Sequence, residues 1–140
     1  MSIISIDSGT TTTKIIEYKD EIIVNKAVFN NKDCSNIENV LDIFVNCNNI
    51  SINEIEKIVV TGINYDKVSF ERYKLKYNIP VFKVEEFRAI AEAGKYLSGK
   101  DNILVASIGT GTAFIKVDGN NIKHIGGTRS RCWNSYKFMQ

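Results

Sequence analysis

The stretch IDSGTTTTKI, residues 6–15, decides how the fold of this chain is interpreted. A short apolar strand runs into Asp7, Gly9 follows, and four consecutive threonines precede Lys14. Because aspartate and glycine favour turns and threonine favours strands, one interpretation is a plain β-hairpin. A turn alone needs one or two such residues, not an unbroken run of hydroxyl groups before a lysine. The stretch therefore also indicates a backbone cradle for phosphate.

The residue types in this stretch suit phosphate binding. Gly9 allows backbone angles closed to other residues and lets the main chain approach a ligand. Successive N–H groups in such a turn form an anion pocket, and Thr10 to Thr12 add hydroxyl donors. Lys14 supplies a positive charge. Asp7, at the end of a buried strand, can hold Mg²⁺ through water, because Mg²⁺ prefers oxygen ligands and keeps its waters.

A second stretch, IGTGT at residues 108–112, repeats the design. Gly109 and Gly111 open the backbone, and Thr110 and Thr112 supply hydroxyl donors. A tight hairpin would also need glycine here, so that alternative stays open. Since both turns follow a strand, the repetition indicates two lobes, each opening with a phosphate-type hairpin.

The spacing of apolar residues predicts an α/β fold. Ser35 is placed to cap the first helix. A later helix, 85–97, has a predicted apolar face of Phe87, Ile90, Gly94 and Leu97. The continuous apolar strand KIVVTG, 57–62, is of a kind usually covered on both faces. The other predicted elements are strands at 3–6, 13–18, 21–29 and 81–84, a first helix from 35 to about 46, an ambiguous segment at 64–76, and strands within 102–127 joined in part by an Asp-Gly hairpin.

Composition excludes several classes of protein. The 140 residues suffice for an ordinary core, and no apolar run reaches the 18 or so residues of a membrane span. The first residues lack the features of a signal peptide, so we expect a cytoplasmic protein. Cys34, Cys47 and Cys132 form no metal-binding or disulfide spacing and are interpreted as free thiols. His124 is the only histidine, which excludes a multi-histidine metal site.

The charge distribution gives no sign of a nucleic-acid or membrane partner. Three of the 18 basic residues lie in the last twelve residues, which contain no acidic residue. The rest of the chain carries 15 basic against 16 acidic residues. The main body therefore has no basic bias.

Several motifs together resemble a known family. IDSGTTTTKI is similar to the first phosphate hairpin of the actin/sugar-kinase/Hsp70 ATPase superfamily. VEEFRA (84–89), SIGTGTAFIKVDG (107–119) and HIGGT (124–128) resemble type II pantothenate kinases, in the same order along the chain. The resemblance implies an actin-like (ribonuclease H-like) ATPase lobe over residues 1–98 and the first strands of a second, incomplete lobe over 99–128.

The resemblance also implies a reaction, in which ATP phosphorylates the primary hydroxyl of pantothenate at the first step of coenzyme A biosynthesis. It implies ATP and Mg²⁺ as cofactors, a cytoplasmic enzyme, and a homodimer for the full-length family. The residues that match the ATP phosphate and Mg²⁺ site are Asp7, Gly9, Thr11 and Lys14. Gly109 to Thr112 would form the second phosphate turn and border the pantothenate site.

By the same resemblance, Glu86 matches the catalytic base. From the residues alone, an acidic side chain in a first helical turn more simply complements the helix dipole. A helix N-terminus lowers a carboxyl pKa, whereas a general base works best with a pKa near the operating pH. We therefore expect repulsion from Glu85 or from ATP phosphates to raise the pKa again. Placement dominates phosphoryl transfer, so a weak base suffices.

The chain departs from the family pattern just before its GG motif. The family often has an arginine there that contacts substrate, whereas this chain has Lys123 and His124. Lys123 keeps the charge without the two-pronged geometry of arginine. A lone histidine is more often structural.

The tail at 129–140, RSRCWNSYKFMQ, departs further. A shifted reading frame through plausible codons yields GVGVGTLINL, which matches the family pattern, so we hypothesise that residues 129–140 are out of frame. Resequencing the DNA at codon 129 tests this. Family members are about twice as long, so we expect the 140-residue chain to be truncated and inactive, with exposed strand edges that favour aggregation.

Two alternatives stay open. The opening of the chain also resembles activators of 2-hydroxyacyl-CoA dehydratases, which hold an iron–sulfur cluster at a dimer interface. Cys34 and Cys47 lack a suitable context for such a cluster. The other alternative is a non-catalytic lobe that keeps the fold and has lost ATP.

Overall fold

The computed structural model describes residues 1–32, 36–62 and 70–128. The chain divides into two compact units, Met1–Glu86 and Phe87–Gln140. The predicted free thiols Cys34 and Cys132 and the tail at 129–140 lie outside the described residues, while Cys47 is an exposed free cysteine. The elements in chain order are β1 (Ser2–Ser8), β2 (Thr12–Lys19), β3 (Ile22–Asn30), α1 (Ile37–Cys47), a short 3₁₀ turn (Ile52–Glu54), β4 (Ile55–Thr61), α2 (Glu71–Tyr77), β5 (Val81–Lys83), α3 (Glu86–Ser98), β6 (Asn102–Ile108), β7 (Thr112–Asp118) and β8 (Asn121–Thr128).

The first unit contains a five-stranded sheet in the order β3-β2-β1-β4-β5. β1, β2 and β3 form an antiparallel meander, and β4 and β5 extend the sheet in parallel with β1. Strict alternation in β1 buries Ile4 and Ile6, which pack with the apolar face of α1. The predicted α/β class is confirmed.

The turn between β2 and β3 holds two non-glycine residues in the left-handed region. Asp20 has φ 50° and Glu21 has φ 65°. Two successive positive φ angles form the two-residue turn whose twist matches an antiparallel hairpin. Glu21 therefore belongs to this turn, and not to the start of β3 as its sequence suggests.

Helix α1 begins one residue later than predicted. Its N-cap is Asn36, whose side chain accepts a hydrogen bond from the Glu38 N–H. The predicted cap, Ser35, lies outside the described residues. The buried face of the helix is the predicted one: Val40, Leu41, Phe44 and Val45.

Strand β4 is fully buried on one face only. Ile58 and Val60 are buried, whereas Val59 on the opposite face is only partly covered. The predicted cover is therefore complete on the face shared by Ile58 and Val60, where helix α1 packs, and partial on the opposite face.

Helix α2 accounts for part of the ambiguous segment at 64–76. Residues 63–69, which include the first part of that segment, lie outside the described residues. Tyr73 is fully buried, and its hydroxyl donates to Asp42 Oδ1 over 2.5 Å. Arg72 pairs with the same carboxylate, so Asp42 links α2 to α1.

The second unit is an antiparallel sheet, β6-β7-β8, with α3 packed on one face. Ala91, Ile115 and Val117 are its buried core. The β7–β8 turn is the predicted Asp-Gly hairpin, with Gly119 at φ 58°. The opposite face of the sheet exposes Leu104.

Helix α3 differs from expectation in two ways. Phe87 and Ile90 pack on the core as predicted, but Leu97, in the last turn of the helix, is exposed. The packing of α3 on the second sheet also places the division between compact units directly after Glu86, the first residue of the helix, and not after residue 98. The functional lobes at 1–98 and 99–128 stay a prediction.

Candidate functional site

Asp7 and Lys14 lie side by side at the end of the first hairpin. They are partners in the antiparallel β1–β2 ladder, so their side chains project from the same face of the sheet. Lys14 Nζ donates to Asp7 Oδ2 over 2.9 Å. Both side chains remain substantially exposed, 57% for Lys14 and 41% for Asp7. The pair therefore presents a cation and a carboxylate to solvent beside the first turn, which we define as residues 9–12.

Gly9 is needed for a different reason from the one predicted. Its φ lies outside the left-handed region, so unusual backbone angles do not require glycine there. An added Cβ would instead lie 3.0 Å from the Thr12 carbonyl oxygen, which accepts the Gly9 N–H over 3.1 Å. Glycine at this position permits a close approach of the two ends of the turn.

Asn31, just after β3, donates hydrogen bonds to three carbonyl groups of the first turn. Its Nδ2 donates to Gly9 O over 2.8 Å and to Thr10 O over 3.3 Å. Its backbone N–H donates to Thr11 O over 2.9 Å. The buried Thr13 hydroxyl in turn donates to Asn31 Oδ1 over 2.8 Å. The conformation of the first turn is thus fixed by Asn31, a residue that none of the sequence motifs includes.

The end of β4 lies directly beside the first hairpin. Thr61 is the parallel partner of Asp7 in the β1–β4 ladder. Its hydroxyl is buried and has no hydrogen-bond partner among the described residues. The next residue, Gly62, has φ +102°, and an added Cβ there would collide with the backbone of Ser8. The sequence suggested only that Gly62 ends the strand.

The donor set around Asp7 fits a magnesium ion held through water. Carboxylate and hydroxyl oxygens are the ligands that Mg²⁺ prefers, and Mg²⁺ commonly keeps several waters beside one or two carboxylates. Asp7 and the unpartnered Thr61 hydroxyl supply such oxygens. No cluster of three or more metal-binding side chains occurs within residues 1–32, 36–62 and 70–128. The described residues therefore provide no site in which protein side chains alone would coordinate a metal ion.

Glu86 has a raised pKa. Partial burial is the largest cause, followed by repulsion from Asp7 and from Glu85, while Lys14 acts in the opposite direction. Repulsion by Glu85 was expected from the sequence, but burial and Asp7 outweigh it. The raised pKa brings the carboxyl closer to the range in which a general base works well.

The second turn, residues 108–112, closes the β6–β7 hairpin in the second unit. Gly109 N–H donates to Gly111 O over 2.8 Å, and Thr112 N–H donates to Thr128 Oγ1 over 3.1 Å. The φ of Gly109 is outside the left-handed region, and no described protein atom lies within 4 Å of an added Cβ. Unusual backbone angles therefore do not require glycine at position 109. Nothing in the fold of the described residues explains why position 109 is a glycine.

His124 lies against helix α3. Its ring stacks on Phe87, with centroids 4.6 Å apart and planes within 5°. The neighbouring Lys123 is exposed.

None of the helices in the described ranges combines the length and apolar character that crossing a membrane requires. The predicted cytoplasmic location stays a prediction.

Comparison with solved structures settles the fold. Similar structures include a ROK family protein from Streptococcus pneumoniae in complex with sucrose, at TM-score 0.60 and 17% identity over 88% of this chain and 48% of that one. The proposed N-acetylmannosamine kinase of Listeria monocytogenes has TM-score 0.63 and 17% identity, over 96% of this chain and 52% of that one. The activator of 2-hydroxyisocaproyl-CoA dehydratase from Clostridium difficile, with bound ADPNP, has TM-score 0.64 and 19% identity, over 89% and 46%.

The fold is that of an actin-like ATPase lobe. The predicted fold class is thereby confirmed, while the finer resemblance to type II pantothenate kinases stays a prediction. This chain spans about half the length of the solved structures that it matches. No protein-family model matches the chain, and a search of curated proteins finds no match.

Proposed function

We propose that this chain is part of an ATP-dependent kinase that phosphorylates the primary hydroxyl of pantothenate. The observation that carries the proposal is the pairing of Asp7 with Lys14 across β1 and β2, 2.9 Å apart beside the glycine-threonine turn. The charges of both side chains also act on the pKa of Glu86, the candidate base. The actin-like ATPase fold, which includes a structure with a bound ATP analogue, supports nucleotide use.

The residues of the first unit would divide the work. The first turn and Lys14 would bind phosphate oxygens, and Asp7 would hold Mg²⁺ through water. Magnesium, when bound, would neutralise charge on the phosphate groups. Glu86 would accept the proton of the pantothenate hydroxyl as its oxygen forms a bond to the terminal phosphorus of ATP and the bond to ADP breaks. A raised pKa suits this proton transfer.

We assign phosphate binding to the second turn as well, with pantothenate bound nearby, on the strength of its sequence. Thr110 and Thr112 would donate hydroxyl hydrogen bonds, and the unexplained glycine at Gly109 would give a ligand close access to the main chain. A homodimer is proposed from the family resemblance alone.

A kinase assay with pantothenate and ATP tests the proposal. It should use both the 140-residue chain and a version with the reading frame restored after residue 128. We expect the frame-restored protein to form phosphopantothenate. Glu86→Gln should abolish turnover, because an amide cannot accept the proton. The control is Glu92→Gln, on the same helix and paired with Lys95. Full activity of the Glu86→Gln protein would refute the assignment of the base.

A dehydratase activator is the second candidate, because the 2-hydroxyisocaproyl-CoA dehydratase activator and component A of the (R)-2-hydroxyglutaryl-CoA dehydratase from Acidaminococcus fermentans both match with a TM-score of 0.64. These scores are at least as high as those of the sugar-kinase-like structures above. The discriminating measurement is iron content. A brown protein with stoichiometric iron and sulfide would favour the activator, whereas a colourless protein without iron would favour the kinase. If titration calorimetry detects no heat with Mg-ATP, the non-catalytic lobe becomes the better account.

A further inference from the structure

We propose that Asn31 is a positioning residue that aims three backbone N–H groups of the first turn at a ligand's phosphate. This inference rests on the proposed function and names a further residue of the same site. All the residues that it involves lie within the first compact unit.

The direction of the carbonyl groups carries the argument. The oxygens of Gly9, Thr10 and Thr11 all accept hydrogen bonds from Asn31, two from the side-chain amide and one from the backbone N–H. In a planar trans peptide, the N–H of the next residue points opposite to the carbonyl. The N–H groups of residues 10, 11 and 12 are therefore directed to the side of the turn away from Asn31. Successive N–H groups that point the same way form a concave anion site.

The orientation of the Asn31 amide is itself determined. Carbonyl oxygens only accept hydrogen bonds, so the NH₂ group must face Gly9 O and Thr10 O. The Thr13 hydroxyl completes the set by donating to Oδ1, which leaves both ends of the amide engaged. Threonine at position 13 thus orients Asn31, while Asn31 orients the turn.

Asn31 also replaces the bond that a simple turn would make. In a common β-turn the first carbonyl accepts the N–H three residues later. Here Gly9 O, the carbonyl in that place, accepts from Asn31 Nδ2 over 2.8 Å. The contact comes from 22 residues along the chain, so the shape of the turn depends on the pairing of β2 with β3.

A binding experiment separates positioning from general stability. The probe is inorganic triphosphate with Mg²⁺, titrated calorimetrically into the 140-residue chain and its variants. Asn31→Ala should weaken binding by about fivefold or more, since the turn loses two side-chain hydrogen bonds. The matched control is Asn25→Ala, which removes an amide bond of 2.7 Å to Glu17 on the same strand pair, away from the first turn. We expect the control to keep the affinity of the original chain.

A second measurement covers variants that fold poorly. Exchange of the Gly9 N–H, which donates to Thr12 O within the turn, should accelerate in Asn31→Ala and stay unchanged in Asn25→Ala when recorded by NMR and compared with the global unfolding rate. Equal affinity and equal exchange in both variants would overturn the role of Asn31 and leave the proposed function standing. Failure of the unmodified chain to bind either triphosphate or Mg-ATP would overturn both the phosphate site and the role assigned to Asn31.

Discussion

Lys14 and Asp7 are cross-strand partners whose charged atoms lie 2.9 Å apart beside the first turn. Both are exposed enough that their attraction is weakened by solvent, and exposed ion pairs contribute at most about 1 kcal/mol to stability. The fold therefore gains little from this pair. Its position next to a glycine-threonine turn fits a role in binding.

Replacing Lys14 with methionine should separate binding from stability. The free energy of unfolding should change by no more than about 1 kcal/mol, whereas loss of the charge should weaken Mg-triphosphate binding at least about tenfold. Denaturant titration and calorimetry measure the two quantities. Lys19→Met is the control, because Lys19 also lies on β2 and pairs with Glu54 over 3.2 Å, at the other end of the strand. Equal loss of binding in both variants would indicate general electrostatic attraction only.

Gly62→Ala should be strongly destabilising. The residue has φ +102°, and a Cβ there would collide with the Ser8 backbone. The end of β1 would therefore have to move away from the end of β4. We expect a loss of more than about 2 kcal/mol in the free energy of unfolding. Gly99→Ala is the control: its φ is +64° and no described atom lies within 4 Å of the new Cβ. It should lose only about 1 kcal/mol, and a similar cost in both proteins would contradict the collision.

Gly109→Ala distinguishes the two interpretations of the second turn. Its φ is compatible with alanine and the Cβ would meet no described protein atom, so stability should be unchanged or rise by up to about 1 kcal/mol. If the turn only closes a hairpin, nothing else should change. If it binds phosphate, the methyl group should obstruct the ligand and raise KM for ATP in the restored protein. An unaltered KM would leave the plain hairpin as the explanation.

Glu86 should make stability depend on pH in a defined direction. Because its pKa is raised in the folded protein, its contribution is fully present below the unfolded pKa of about 4.3 and is lost as pH rises through the folded value. Glu86→Gln resembles the protonated side chain. It should therefore be more stable than the original protein at pH 7, with the difference shrinking towards pH 4.

Unfolding in denaturant at both pH values measures that difference. Glu92→Gln, on the same helix, reports the effect of removing an exposed carboxylate. A Glu86→Gln protein that is less stable than the original at pH 7 would show that the carboxylate is favoured by its surroundings, contrary to the direction given above.

Local sequence patterns determined most of the elements. Alternation at β1 and β2, the Asp-Gly turn before β8 and the helical spacing in α1 each depend on neighbours within a few residues, so they can be derived without the fold. The glycine-threonine turns were also recognisable, since their chemistry is carried by consecutive residues. The same patterns misplaced Leu97, because periodicity gives the apolar face of a helix but not which residues of that face the neighbouring elements cover.

Only the tertiary structure decided what surrounds the first turn. Asn31 reaches Gly9 because β3 runs antiparallel to β2 and ends where β2 begins, and Thr61 reaches Asp7 because β4 pairs in parallel with β1. The raised pKa of Glu86 likewise depends on burial and on a charge from a distant strand. Such contacts join residues far apart in the chain, and their energies depend on distance and solvent exclusion, which the order of amino acids does not display.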